Sequence, residues 1–233
     1  MKKLTVIVFV FTIISNLSAQ QLLSPSFRFS KKDISYVTLE NGTEVKGTLN
    51  DIDRKKGLIK LIKIEDGTGT VHKLKPGAVK YMYAMPSGFD KAMKAVNFLT
   101  DAQKWNNEKL SQDLLDQGYV YFETVNVKIK KKTMPMMMQL LNPTFSKSVK
   151  VYHDPFAKET VGVGVGGVTV AGGLAKSYYM MLDSDNAAYK IEKKQYKKSF
   201  PALWDKCSSL SQQSDINWNE FTDHVIGYTE CDK

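Results

Sequence analysis

The chain is poor in the residues that most site chemistry requires. Of its 233 residues, two are cysteines and three are histidines. Cys207 and Cys231 lie far too wide apart for CxxC redox chemistry. His72, His153 and His224 fall in three different segments, with neither HExxH nor paired spacing, which leaves out the common histidine-based metal motif. No serine sits in a GxSxG elbow. After Ile14 no apolar run approaches the roughly 20 residues that a membrane-crossing helix needs. No internal repeat or long disordered linker is evident.

What is present begins at the N-terminus. Lys2 and Lys3 precede an apolar run, Leu4 to Ile14, interrupted only by Thr5 and Thr12. Ser15, Asn16, Ser18 and Ala19 follow. This is the charged start, apolar core and small-residue cleavage zone of a secretory signal. Cleavage is predicted after Ala19 or Gln20. The new N-terminus is then a glutamine, not the cysteine that a lipid anchor requires. The formal charge is +9 and becomes +7 when Lys2 and Lys3 leave with the signal.

Inside a cell a basic balance of this kind points to nucleic acid. For an exported chain the expected partners are instead an envelope protein or an anionic surface, and solubility alone also accounts for the charge. In an oxidising compartment the pair Cys207 and Cys231 is predicted to form a structural disulfide. Closing that loop stabilises the fold by about 3–4 kcal/mol on the chain-entropy model.

The predicted class is α+β, in six stretches: a signal peptide (1–20), an N-terminal extension (21–34), a small five-stranded β-barrel (35–85), a helical connector (86–118), a second β-rich unit (119–192) and a C-terminal helical hairpin (193–233). In the barrel, Tyr36–Glu40 and Glu44–Asn50 flank Asn41-Gly42, a strong hairpin signal. A three-residue loop sets Leu39 opposite Val45 on a buried face. This favours a type I turn with Gly42 left-handed in a bulge. Strands follow at Leu58–Ile64, Thr70–Lys75 and Val79–Tyr83. This pattern resembles SH3-like or Sm-like barrels.

Ser87 and Asp90 form a capping box before a helical stripe of Phe89, Ala92, Met93, Val96, Leu99 and Ala102. Leu110, Leu114 and Leu115 continue the stripe, and Gly118 stops it. Strands are expected at Tyr119–Ile129, Ser148–Tyr152 and Ser177–Leu182. At the end, Phe200, Leu203, Trp204, Cys207 and Leu210 make one helical stripe, with Pro201 in its first turn. Asn217 and Glu220 cap a second helix that buries Trp218, Phe221, Val225 and Tyr228.

Several motifs invite chemistry. Gly162, Gly164 and Gly167 match the spacing of a dinucleotide fingerprint, but the fingerprint needs a strand before it and a helix after it. Here valines alternate straight through the glycines, so the run reads as a sheet segment. Met134, Met136, Met137 and Met138, with Met180, Met181 and His153, offer the soft ligands that suit Cu(I). Methionine is equally an ordinary core filler. Lys128, Lys130, Lys131 and Lys132 form the densest basic run. They read either as a solvated edge that blocks strand pairing or as an electrostatic contact patch. Glu123, Asp154 and Glu159 are the acidic residues that a fold would have to gather for glycoside chemistry.

The signal ending in Ser18-Ala19-Gln20, the stretches Leu140–Phe145 and Lys150–Pro155, the glycine-rich run before Ser177-Tyr178-Tyr179, and the ending Phe200-Pro201…Cys207…Cys231 together resemble uncharacterised secreted proteins of the Bacteroidota. The resemblance implies compartment and taxon, with no activity, cofactor or catalytic residue attached. The function expected is a non-enzymatic binding or accessory module of the cell envelope, with no cofactor, no metal, no nucleic acid partner and no transmembrane segment. The alternatives are a hydrolase of envelope or extracellular polymer and, third, methionine-rich copper binding.

Overall fold

A computed structural model of the protein describes residues 22–88, 110–157, 164–165, 168–169 and 174–231. The secretory signal, the capping box at Asp90, the stripe over 89–109 and Glu159 lie outside the described residues.

All the strands expected over 35–85 form: β1 (Ile34–Leu39), β2 (Glu44–Lys55), β3 (Leu58–Asp66), β4 (Val71–Leu74) and β5 (Val79–Ala84). They do not stop at β5. A short helix, α1 (Gln112–Asp116), leads into β6 (Val120–Ile129) and β7 (Lys132–Gln139), and β6 pairs antiparallel with β5. The result is one seven-stranded sheet, ordered β4-β3-β2-β1-β5-β6-β7. The expected five-stranded unit is therefore continued by what sequence placed in a second unit.

The first hairpin has the predicted turn in a different register. Gly42 has φ +84°, and its N–H donates to Leu39 O, as a type I turn with a left-handed third loop residue requires. The loop is Glu40-Asn41-Gly42, so Leu39 meets Thr43 and Val45 meets Val37. Leu39 is not opposite Val45. The displacement is two residues, and a period of two leaves every side chain on its expected face.

Further along, β-bulges interrupt the β2–β3 ladder, where Leu49 faces Ile64 and Asp51 faces Lys63, and again where Asp53 faces Leu61 and Arg54 faces Ile59. One extra residue flips the alternation. That is how Ile59 and Ile62, three apart, are both buried in one core.

Alternation sorts β5 to β7 onto two cores. Met82, Ala84, Val120, Phe122 and Met137 face inward with Val37, Leu49, Ile62 and Ile64. Tyr83, Tyr121, Val125, Val127, Met136 and Met138 face the other way. Against that second face lies a three-stranded sheet of β8 (Val149–His153), β11 (Ser177–Leu182) and β12 (Tyr189–Glu192), ordered β12-β11-β8. Tyr152 and Tyr179 close the joint. Their neighbours Val151, Tyr178 and Met180 face a third core under the C-terminal helices.

The two sheets are stitched at the backbone. Leu140 N–H donates to Tyr121 O on one sheet, and Leu141 N–H donates to Val151 O on the other. The N-terminal extension crosses the same layers as a strap. Leu22 packs on the helical core, Leu23 N–H donates to Leu141 O, and Phe29 packs on the core of the large sheet.

Most of the glycine-rich run, Gly162 and Gly167 included, lies outside the described residues. β9 (Gly164–Val165) and β10 (Val168–Thr169) pair antiparallel with Val165 opposite Val168. An antiparallel pairing of this kind differs from the strand-to-helix passage of a dinucleotide site.

The C-terminal part holds α2 (Lys193–Leu203), α3 (Ser208–Ser211) and α4 (Phe221–Glu230). Pro201 stands in the last turn of α2, not in a first turn. The aromatic anchors Tyr196 and Phe200 draw the helix start back to Lys193, and the helix ends two residues after the proline. Asn217 caps as expected, its Oδ1 accepting from Asn219 N–H, and Trp218, Phe221, Val225 and Tyr228 are all buried. No helix among the described residues is long and apolar enough to cross a membrane.

Candidate functional site

The acidic residues marked in the sequence are already engaged. Glu123 projects from β6 into the joint between the sheets, with its side chain 13% exposed. Lys150 Nζ on β8 donates to both carboxylate oxygens, at 2.8 and 2.9 Å. The Tyr152 hydroxyl donates to Oε1 at 2.8 Å. Burial, and then the Glu123 charge, push the Tyr152 hydroxyl well above the usual phenol range. Asp154, fully buried, accepts from Ser177 Oγ at 2.6 Å and Phe156 N–H at 2.9 Å, and Lys190 Nζ lies 3.0 Å away. Each carboxylate thus ties strands of different parentage, and both are neutralised where they stand.

The methionine run is divided by strand alternation. Met136 and Met138 enter the core between the sheets, Met137 enters the core of the large sheet, and Met134 is 44% exposed. Met180 and Met181 likewise face opposite layers. His153 sets its ring edge-on to Phe27, with centroids 5.4 Å apart. Burial, reinforced by Arg54 and opposed by Asp154, brings its pKa down to about 4. His72 stands on β4 opposite Ile64, Nε2 2.7 Å from Asp66 Oδ2. The Thr68 hydroxyl first, and then His72, hold the Asp66 carboxyl well below the usual range. Among the described residues no group of three or more His, Cys, Asp or Glu could hold a metal ion.

Two surface features remain. The first is the tip of the β6–β7 hairpin. Ile129 pairs with Lys132, so Lys130-Lys131 is a two-residue turn, with Lys130 at φ +55°. Lys128, Lys130, Lys131 and Lys132 are all exposed, and none makes an ion pair with a described residue. β7 is the last strand of its sheet and carries the exposed Pro135, which suits the edge reading of these lysines.

The second is an open groove of about 630 Å³ beside the Cys207–Cys231 disulfide. Glu220, Asp223, His224, Gly227 and Cys231 reach it from in and around α4, at helical spacing, and Glu230 stands beside them. His224 is only 3% exposed. Trp204 Nε1–H donates to the Tyr196 oxygen, and the same hydroxyl shares a hydrogen bond with His224 Nδ1, 2.9 Å away. The imidazole's other ring nitrogen, Nε2, lies 3.8 Å from Glu220 Oε2. Burial lowers its pKa, against the opposing charges of Glu220 and Asp223.

Sequence reading treated His224 as isolated and Glu220 only as a cap. The signal that marks the groove is the 220, 223, 224, 227, 231 spacing, one helical face that carries polar groups. The described structure does not bring Glu123 or Asp154 to this groove. No family model, curated protein or solved structure matches the chain.

Proposed function

We propose that the protein is an exported, non-enzymatic binding or accessory module of the cell envelope, in the compartment that its resemblance to secreted Bacteroidota proteins implies. The observation that carries this reading is the fate of Glu123 and Asp154. A hydrolytic pair needs one carboxyl free to donate and one free to attack or to activate water. These two are spent joining β6 to β8 and the β8 end to β11 and β12. Export is supported by the residue pattern of the signal and by a disulfide that persists in oxidising compartments. The strand order β4-β3-β2-β1-β5 supports reading the N-terminal strands as an SH3-like or Sm-like barrel extended by β6 and β7.

The test is affinity capture from envelope extracts with the processed chain. Co-purification with an envelope complex is expected, and recovery of the chain alone overturns the reading. A hydrolase reading would have to draw on Glu220, Asp223 and Glu230, which line an open groove and not a closed cleft. Release of reducing sugar from envelope polysaccharide, lost in Glu220→Gln, would replace the binding reading.

A further inference from the structure

We propose that the β6–β7 hairpin tip, Lys128 to Lys132 with Met134 beside it, is a docking surface for anionic phospholipid. The inference takes its location from the envelope reading above, while its contact chemistry stands on the hairpin alone.

Four exposed ammonium groups lie within five consecutive residues and have no counter-charge among the described residues. The backbone puts a lysine where strain is least tolerated. Lys130 sits at φ +55°, a conformation that two-residue hairpin turns normally give to glycine or asparagine. The other non-glycine residue at positive φ, Lys56, differs on two counts. It is followed by Gly57, and its turn lies against Pro155. The Lys130-Lys131 turn has no glycine, and both its residues are exposed.

Shape and composition select lipid over a protein partner. Residues 130–135 are all exposed, so the hairpin end presents a run of side chains and not a recess. A headgroup layer moulds round a projection. Lysine stems and the thioether of Met134, 44% exposed, are apolar material that can settle at the headgroup boundary while the ammonium groups stay wet.

The experiment is vesicle co-sedimentation of the processed chain recovered from the cell envelope, its N-terminus read by mass spectrometry. Vesicles of phosphatidylglycerol with phosphatidylcholine are compared with phosphatidylcholine alone. Because the whole chain is basic, the control must match charge. The variant K128Q/K130Q/K131Q/K132Q is set against K193Q/K194Q/K197Q/K198Q, which removes four exposed lysines from α2.

Each lysine near an anionic surface contributes about fivefold in partitioning. The hairpin variant is expected to lose about 600-fold, with an unchanged thermal melt, and the α2 variant only a few-fold. Met134→Ser is expected to weaken binding further in the salt-resistant part. Equal losses in the two lysine variants, or none in the hairpin variant, overturn the proposal. So does a chain that ignores both vesicles while an acidic envelope protein shields the same lysines from acetylation. An intact signal on the recovered chain would instead count against export and leave the vesicle result to be read on its own.

Discussion

Lys150 Nζ lies 2.8 Å from Glu123 Oε1, across the joint between the seven-stranded and three-stranded sheets. Both groups are largely removed from water, and Tyr152 donates to the same oxygen. A pair in this setting contributes little net stability while intact, yet breaking it strands one partner. Glu123→Ala is expected to destabilise the fold by about 3 kcal/mol. Glu123→Gln, which still accepts from Tyr152, is expected to cost about half of that. Urea midpoints at constant m value measure both. Equal effects would mean that the stranded Lys150 charge accounts for the whole loss and the Tyr152 bond for none of it.

The Cys207–Cys231 bridge closes the chain from the end of α2 to the end of α4. Replacing both cysteines by alanine is expected to cost about 3 kcal/mol. Denatured protein from the envelope should titrate with no free thiol until reductant is added. Two free thiols without reductant would rule the bridge out.

His153 is expected to give stability a pH dependence. Its pKa is about 4 in the fold against 6.5 for an unperturbed imidazole. Between these limits the unfolded chain binds the extra proton, so stability is full above pH 6.5 and falls as the pH drops toward 4. The loss attributable to this ring is at most about 3 kcal/mol. A His153→Leu variant should show a flatter melting-temperature profile over that window alone. His224, whose pKa burial also lowers, acts with the same sign.

Gly47 and Gly57 are expected to be intolerant for different reasons. A Cβ on Gly47 would run into Glu65 O of the neighbouring strand. Gly57 combines φ +79° with Pro155 O only 2.7 Å from where a Cβ would stand. Alanine at either position should cost more than about 1 kcal/mol. Gly67→Ala, with open space around it, should be nearly neutral in the same thermal assay.

Local patterns were legible wherever the chain's own geometry decided the outcome. The Asn41-Gly42 turn and Gly118 closing α1 at φ +89° follow from backbone conformations that few residues adopt, and the Asn217 cap from a side-chain oxygen placed to accept a backbone N–H. Register and helix phase were less legible. Leu39 met Thr43, and α2 began at Lys193, because neighbouring strands and the aromatic core settled them. The groove at His224 escaped notice because its residues are ordinary one by one. It takes α3 beside α4, and Tyr196 behind the ring, to make them a site.

By itself the sequence determined the α+β class, the strands of the N-terminal part, the pairing of Cys207 with Cys231 and the basic run at Lys128–Lys132. Each depends on periodicity, on turn chemistry or on having only one possible partner. Only the tertiary structure decided that β5 continues into β6, that Glu123 meets Lys150, and that the methionines part into separate cores. Those outcomes depend on which face meets which layer. Alternation along a strand fixes two faces, but only packing against a neighbour says what each one touches.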